Sequence, residues 1–170
     1  MDLGLMVLRV VIGALFAGHG AQKLFGVLGG GGLEGTAGMF ENLGLRPSWL
    51  HARAAGTAEF MGGLLLALGL FTPFAAALLI AVMTTAVITV HFPNGIWNTN
   101  KGYEYNLVLV AAAFALSAIG AGAWSLDNAF GFDLHGAGWA IGALAAGLIG
   151  GAGAVLSGRA VGGREPHPAR

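Results

Sequence analysis

Five uninterrupted apolar stretches, each close to the length of a membrane crossing, occupy most of this chain. They cover residues of about 3–25, 54–70, 73–90, 105–123 and 139–156. A bilayer core of ~30 Å takes roughly 20 residues of helix. The runs are continuous and lack the alternation of barrel strands, so helices are expected. Charge is correspondingly scarce. Of the 170 residues, 9% are charged and 56% hydrophobic, whereas a soluble domain carries about 25% charged residues to solvate its surface. The 31 glycines show no collagen-like triplet and fit packed membrane helices, in which small residues let backbones approach. The expected fold class is all-α: a transmembrane four-helix bundle core with a fifth, C-terminal transmembrane helix.

Several function classes fall away at once. Eight basic and eight acidic residues cancel, so no net field draws nucleic acid, and the lipid bilayer is the expected partner. The chain has no cysteine, which excludes disulfides, thiolate metal sites, Fe–S ligation and a cysteine nucleophile. Met1-Asp2-Leu3 offers no basic n-region, so the first stretch is expected to stay as a helix rather than be cleaved.

The connections are uneven. Phe71-Thr72-Pro73 predicts a tight hairpin, with threonine as N-cap and proline at the first helical position. The long connection 26–53 opens with four glycines, 29–32. No strand precedes them and no Lys-Ser/Thr follows, so a flexible linker is favoured over a phosphate cradle. Met39, Phe40 and Leu43 then predict a short apolar face lying on the membrane surface. Basic residues set the orientation. With five helices, Lys23, Arg46, Arg53, Lys101, Arg159, Arg164 and Arg170 share one side, while Arg9 stands with Asp2, Asp127 and Asp133 on the other. That places the N-terminus outside and the C-terminus in the cytoplasm of a bacterial plasma membrane. Trp49 and Trp97 would belt the inner interface, and Trp124 and Trp139 the outer one.

Polar residues inside the stretches cost about 2.5–3.5 kcal/mol each on insertion scales when charged, so each needs a purpose. The first stretch carries Arg9, His19, Gln22 and Lys23. At ~100° per residue, Arg9, His19 and Lys23 fall within about 80° of one another. The second carries Glu59. In antiparallel neighbours Glu59 matches His19 in depth, which makes His19 its expected partner, with Lys23 in reserve. His91, Tyr103, Glu104 and Asn106 add to the same side.

Two readings of this cluster stay open. In one, Lys23 and Glu104 snorkel and Glu59 with His19 holds the bundle. In the other, Glu59 and His19 exchange protons while Lys23, Tyr103, Glu104 and Asn106 shape a pocket for a quinone ring. Haem on His19 and His91 is disfavoured because the two histidines look unmatched in depth. No i,i+4 ligand pair supports a metal site in His19, Glu59 and His91, so no metal is expected.

Together these residues resemble the DoxX family of small bacterial membrane proteins. The resemblance is carried by Arg9 with Gly18-His19-Gly20-Ala21-Gln22-Lys23-Leu24-Phe25-Gly26, and by Glu59-Phe60-Met61-Gly62-Gly63. Asn94-Gly95, Gly102-Tyr103-Glu104-Tyr105-Asn106, Gly120-Ala121-Gly122 and Ser125-Leu126-Asp127 follow in order. It implies a four-helix membrane domain over residues 1–128, leaving 129–158 as a connection with an additional transmembrane helix and 159–170 as a polar tail. It also implies an association with quinone-linked redox, through members similar to the DoxD subunit of thiosulfate:quinone oxidoreductase. The expected function is therefore that of a quinone-linked subunit of a membrane oxidoreductase complex, working with a soluble or membrane redox partner protein. The alternatives are a non-catalytic scaffold anchoring redox or stress-defence enzymes and, less favoured for want of an inverted repeat, a small-solute transporter. A homo-oligomer is left open.

Overall fold

The computed structural model of the chain describes residues 1–162. Among them are seven α-helices and no strand: α1 (Asp2–Phe25), α2 (Gly32–Asn42), α3 (Ser48–Leu68), α4 (Thr72–Ala86), α5 (Glu104–Ile119), α6 (Leu126–Ala129) and α7 (Ala137–Gly162). Among the described residues, α1, the run Thr72–Asn94 that begins with α4, and α7 are long and apolar enough to cross a membrane. α5 is apolar but only 16 residues long. It stops short of residue 123 because Gly120 takes φ 95°, ψ 171° and leaves the helical path. α3 begins earlier than its apolar stretch, so Arg53 and Glu59 both lie within it.

Glycine sets how closely the helices pack. A Cβ on Gly20 would lie 2.3 Å from the Phe60 nitrogen, and one on Gly63 would lie 2.4 Å from the Ala17 nitrogen. No side chain fits there, so α1 and α3 meet backbone to backbone. α7 docks on α4 in the same manner: a Cβ on Gly147 would lie 2.5 Å from Ile80, and one on Gly151 would lie 2.4 Å from the Ala81 carbonyl oxygen. The fifth long helix is thus part of the packed bundle. Ile12, Phe16, Leu66, Leu79, Leu109 and Leu116 fill the centre between α1, α3, α4 and α5.

The long helices alternate in direction. At one end Asp2 accepts a hydrogen bond from the Ala123 nitrogen at 2.9 Å, and the Asp127 nitrogen donates to the Gly69 carbonyl at 2.8 Å. At the other end the Arg46 nitrogen donates to the Gly158 carbonyl at 3.1 Å. Lys23, Arg46, Arg53, Lys101 and Arg159 therefore gather at that second end. Arg164 and Arg170 lie outside the described residues.

Three local expectations are corrected. Thr72 is the first residue of α4 rather than its cap. The free nitrogens of Phe71 and Thr72 donate instead to Asp127 at 2.7 and 3.1 Å, and the Thr72 hydroxyl donates to the same carboxylate at 2.6 Å. The glycines at 29–32 form a packed turn and no loose linker, since a Cβ on Gly30 would lie 2.3 Å from the Gln22 carbonyl oxygen. α2 turns Phe40 inward against Leu45, Ala52 and Val155, leaving Met39 exposed. Its apolar face is a domain contact first.

Candidate functional site

At the basic end of the bundle the helices enclose a cavity of about 250 Å³. α1 contributes Leu15, Phe16, His19 and Lys23, and α3 contributes Glu59. Met83 and Ala86 line it from α4. Beyond Ala86 the helix widens into a π turn, Val87–His91, before a tight turn at Phe92–Asn94. Such widened turns occur often at functional sites; this one ends at His91, which also lines the cavity. α5 closes the far side with Tyr105, Asn106 and Leu109, and Asn98 and Gly102 add the loop before it.

The carboxylate of Glu59 is paired, but with Lys23 rather than His19. Its side chain is 4% exposed and that of Lys23 24%. The reason lies in the face α1 turns to α3. Gly13, Ala17 and Gly20 touch α3 directly, and Lys23 follows along the same edge, its Cβ 3.3 Å from where a Cβ on Gly56 would stand. Side chains on a helix lean toward its N-terminus, so the lysine stem runs back to Glu59. His19 sits beside that face and lines the same cavity as Glu59. Its Nδ1 lies 3.0 Å from Gln22 Oε1, and Gln22 Nε2 donates to the Leu28 carbonyl at 2.9 Å.

Asn106 is buried and donates from Nδ2 to the Met83 sulfur at 3.3 Å. His91 Nδ1 lies 2.8 Å from the Lys101 carbonyl oxygen. His19 and His91, unmatched in the sequence, therefore line one cavity. Tyr103 and Glu104 do not line it. Tyr103 stacks on Phe92 with ring centroids 6.2 Å apart, and Glu104 accepts from the Asn98 nitrogen at 2.9 Å, holding the loop. The tyrosine that lines the cavity is Tyr105. Helical spacing carried that signal, because Tyr105, Asn106 and Leu109 share one side of α5 whereas Tyr103 precedes its first turn.

The opposite end holds a larger hollow of about 370 Å³, lined in part by Ser125, Asp127 and His135. The Asp127 carboxylate is committed to the start of α4. Arg9, buried above it, donates from Nε to the Ala121 carbonyl at 3.2 Å and from its two terminal nitrogens to the carbonyls of Ala67 and Trp124. Arg9 and Asp127 tie α1, the α3–α4 hairpin and the segment after α5 into one unit. Among the described residues no three His, Asp or Glu side chains come together as a metal site.

The DoxX family model matches residues 4–92, a segment that holds Arg9, His19, Lys23, Glu59 and His91. The chain belongs to the DoxX family. It is also 32% identical over 116 residues, 68% of this chain and 80% of the other, to a Bacillus subtilis (strain 168) protein named "Putative oxidoreductase CatD". No solved structure matches the chain. Membership and the long apolar helices together make it a helical membrane protein in contact with the lipid bilayer. Tyr105 and Asn106 lie beyond the segment matched by the family model, so the α5 wall of the cavity stands on this chain's own geometry.

Proposed function

We propose that this DoxX-family protein binds a quinone-like lipid in the cavity between α1, α3, α4 and α5 and serves as a quinone-linked subunit of a membrane oxidoreductase. The observation that carries the reading is where the cavity opens. α1 and α5 make little contact with each other. Leu15 and Tyr105, which line the cavity from these two helices, are each 51% exposed. The mouth therefore faces sideways, where the ligand can arrive from the membrane with its tail left in lipid. Inside, Lys23 and Glu59 neutralise each other, which suits an uncharged head group. Asn98, Tyr105 and Asn106 supply hydrogen-bonding groups, and His19 lies near Glu59 for proton exchange. The name of the Bacillus subtilis relative, an oxidoreductase, points the same way. Electrons would pass to or from a partner protein, and any thiol chemistry belongs to that partner because this chain has no cysteine.

The proposed setting is a bacterial plasma membrane, with the basic end of the bundle in the cytoplasm. The reading is tested by titrating the purified protein in detergent with a decyl-substituted benzoquinone. Saturable binding is expected in the wild type and its loss in Ala86→Phe, which fills the cavity. Non-saturable uptake that is equal in both proteins would overturn this reading in favour of the scaffold or the transporter.

A further inference from the structure

The two imidazoles that line the cavity are held in the same hydrogen-bonding state by groups outside it. His91 Nδ1 lies 2.8 Å from the Lys101 carbonyl oxygen. A carbonyl only accepts, so Nδ1 carries the hydrogen. His19 Nδ1 lies 3.0 Å from Gln22 Oε1. The orientation of that amide is set by its own nitrogen, which donates to the Leu28 carbonyl at 2.9 Å, so His19 Nδ1 is again the donor. Each neutral ring is left with a lone pair on Nε2. Neither Nε2 has a hydrogen-bond partner among the described residues.

The strongest donors nearby each hold a partner in the wall. Lys23 gives one of its three N–H donors to Glu59, and Asn106 Nδ2 gives one of its two to the Met83 sulfur. Asn98 and Tyr105 are able to donate or accept. At its two histidines the cavity therefore offers fixed acceptors, two ring nitrogens from two different helices.

From this we infer that the site selects the reduced, hydroquinone form of its ligand. The inference rests on the quinone-site reading above and deepens it. A hydroquinone carries two O–H donors, one for His19 Nε2 and one for His91 Nε2. A quinone brings two carbonyl oxygens, which meet lone pairs at both positions. The recognised class is an aromatic diol with an apolar tail, and the two histidines are the residues that tell it from its oxidised form.

The test is an anaerobic titration of the full chain in detergent at pH 8. Tetramethylhydroquinone and tetramethyl-1,4-benzoquinone are the probes. The hydroquinone is expected to bind about ten-fold more tightly, the worth of two modest hydrogen bonds. His19→Phe and His91→Phe should each reduce the preference to about three-fold. The corresponding Gln variants, whose amide oxygen accepts, should restore part of it and cover the case of a Phe variant that fails to fold. Equal affinities, or tighter binding of the quinone, would overturn the inference and leave the proposed function standing. Saturable binding of neither probe would overturn both. A Soret band in the purified protein that vanishes in either His variant would assign the two rings to haem and overturn the inference.

Discussion

Lys23 reaches back along α1 to pair with Glu59 of α3, so the most buried carboxylate in the cavity wall is matched by a cation three-quarters buried beside it. This makes the pair part of the bundle as well as of the site. Removing one partner strands the other. Glu59→Gln should lower stability in detergent by about 2 kcal/mol, less than for a fully buried pair because Lys23 keeps some exposure. Adding Lys23→Met should recover part of that loss. A double-mutant cycle read by thermal unfolding checks it, and strictly additive effects would show that the two charges do not support each other.

Arg9 calls for a different outcome. Its guanidinium satisfies the carbonyls of Ala67, Ala121 and Trp124 from a position 3% exposed. Arg9→Leu should cost about 3 kcal/mol or more by leaving those oxygens unpaired. Arg9→Lys should rescue little, because one ammonium cannot reproduce the planar fork across three acceptors. Binding of a quinone probe at the far end of the bundle should change little in whatever fraction remains folded. A selective loss of binding with unchanged stability would contradict the structural role.

The glycine contacts can be tested without touching a polar group. Gly20→Ala and Gly63→Ala place a methyl 2.3–2.4 Å from backbone atoms of the facing helix, so both should sharply reduce the yield of folded protein. Gly142→Ala, where nothing lies within 4 Å, should be silent or slightly stabilising. Equal tolerance at the three positions would mean that α1 and α3 are farther apart than described.

Much of the architecture was legible because its signals are local. The length and hydropathy of each stretch predicted the helices, and the basic residues predicted which ends meet. The glycine and alanine stripe at 13, 17 and 20 was equally visible, and it decides which face of α1 meets α3. Followed through, it favours Lys23 over His19 as the partner of Glu59; matching depth alone does not. The cap on α4 had no local signal, since Asp127 lies 55 residues beyond Thr72. From sequence alone Tyr103 is favoured over Tyr105, because nothing in the sequence marks where α5 starts, which decides which tyrosine lines the cavity. His91 could not be placed beside His19 because the widened turn at Val87–His91 changes where the end of α4 points.

The proposed orientation rests on the gathering of Lys23, Arg46, Arg53, Lys101 and Arg159 at one end. A fluorescent reporter fused to the C-terminus should be active in the cytoplasm, and an alkaline phosphatase fusion at the same position should be inactive. The reverse pattern would turn the basic end outward.

Whether the cavity holds a quinone-like lipid is read from what the protein carries out of its own membrane. The protein, purified in mild detergent, is extracted with organic solvent and its isoprenoid quinones are quantified against Ala86→Phe purified in the same way. The wild type is predicted to retain close to one quinone or hydroquinone per chain and the filled variant almost none. A quinone content no higher than that of the co-purifying bulk lipid, or one equal in the two proteins, would mean that the cavity is not a quinone site.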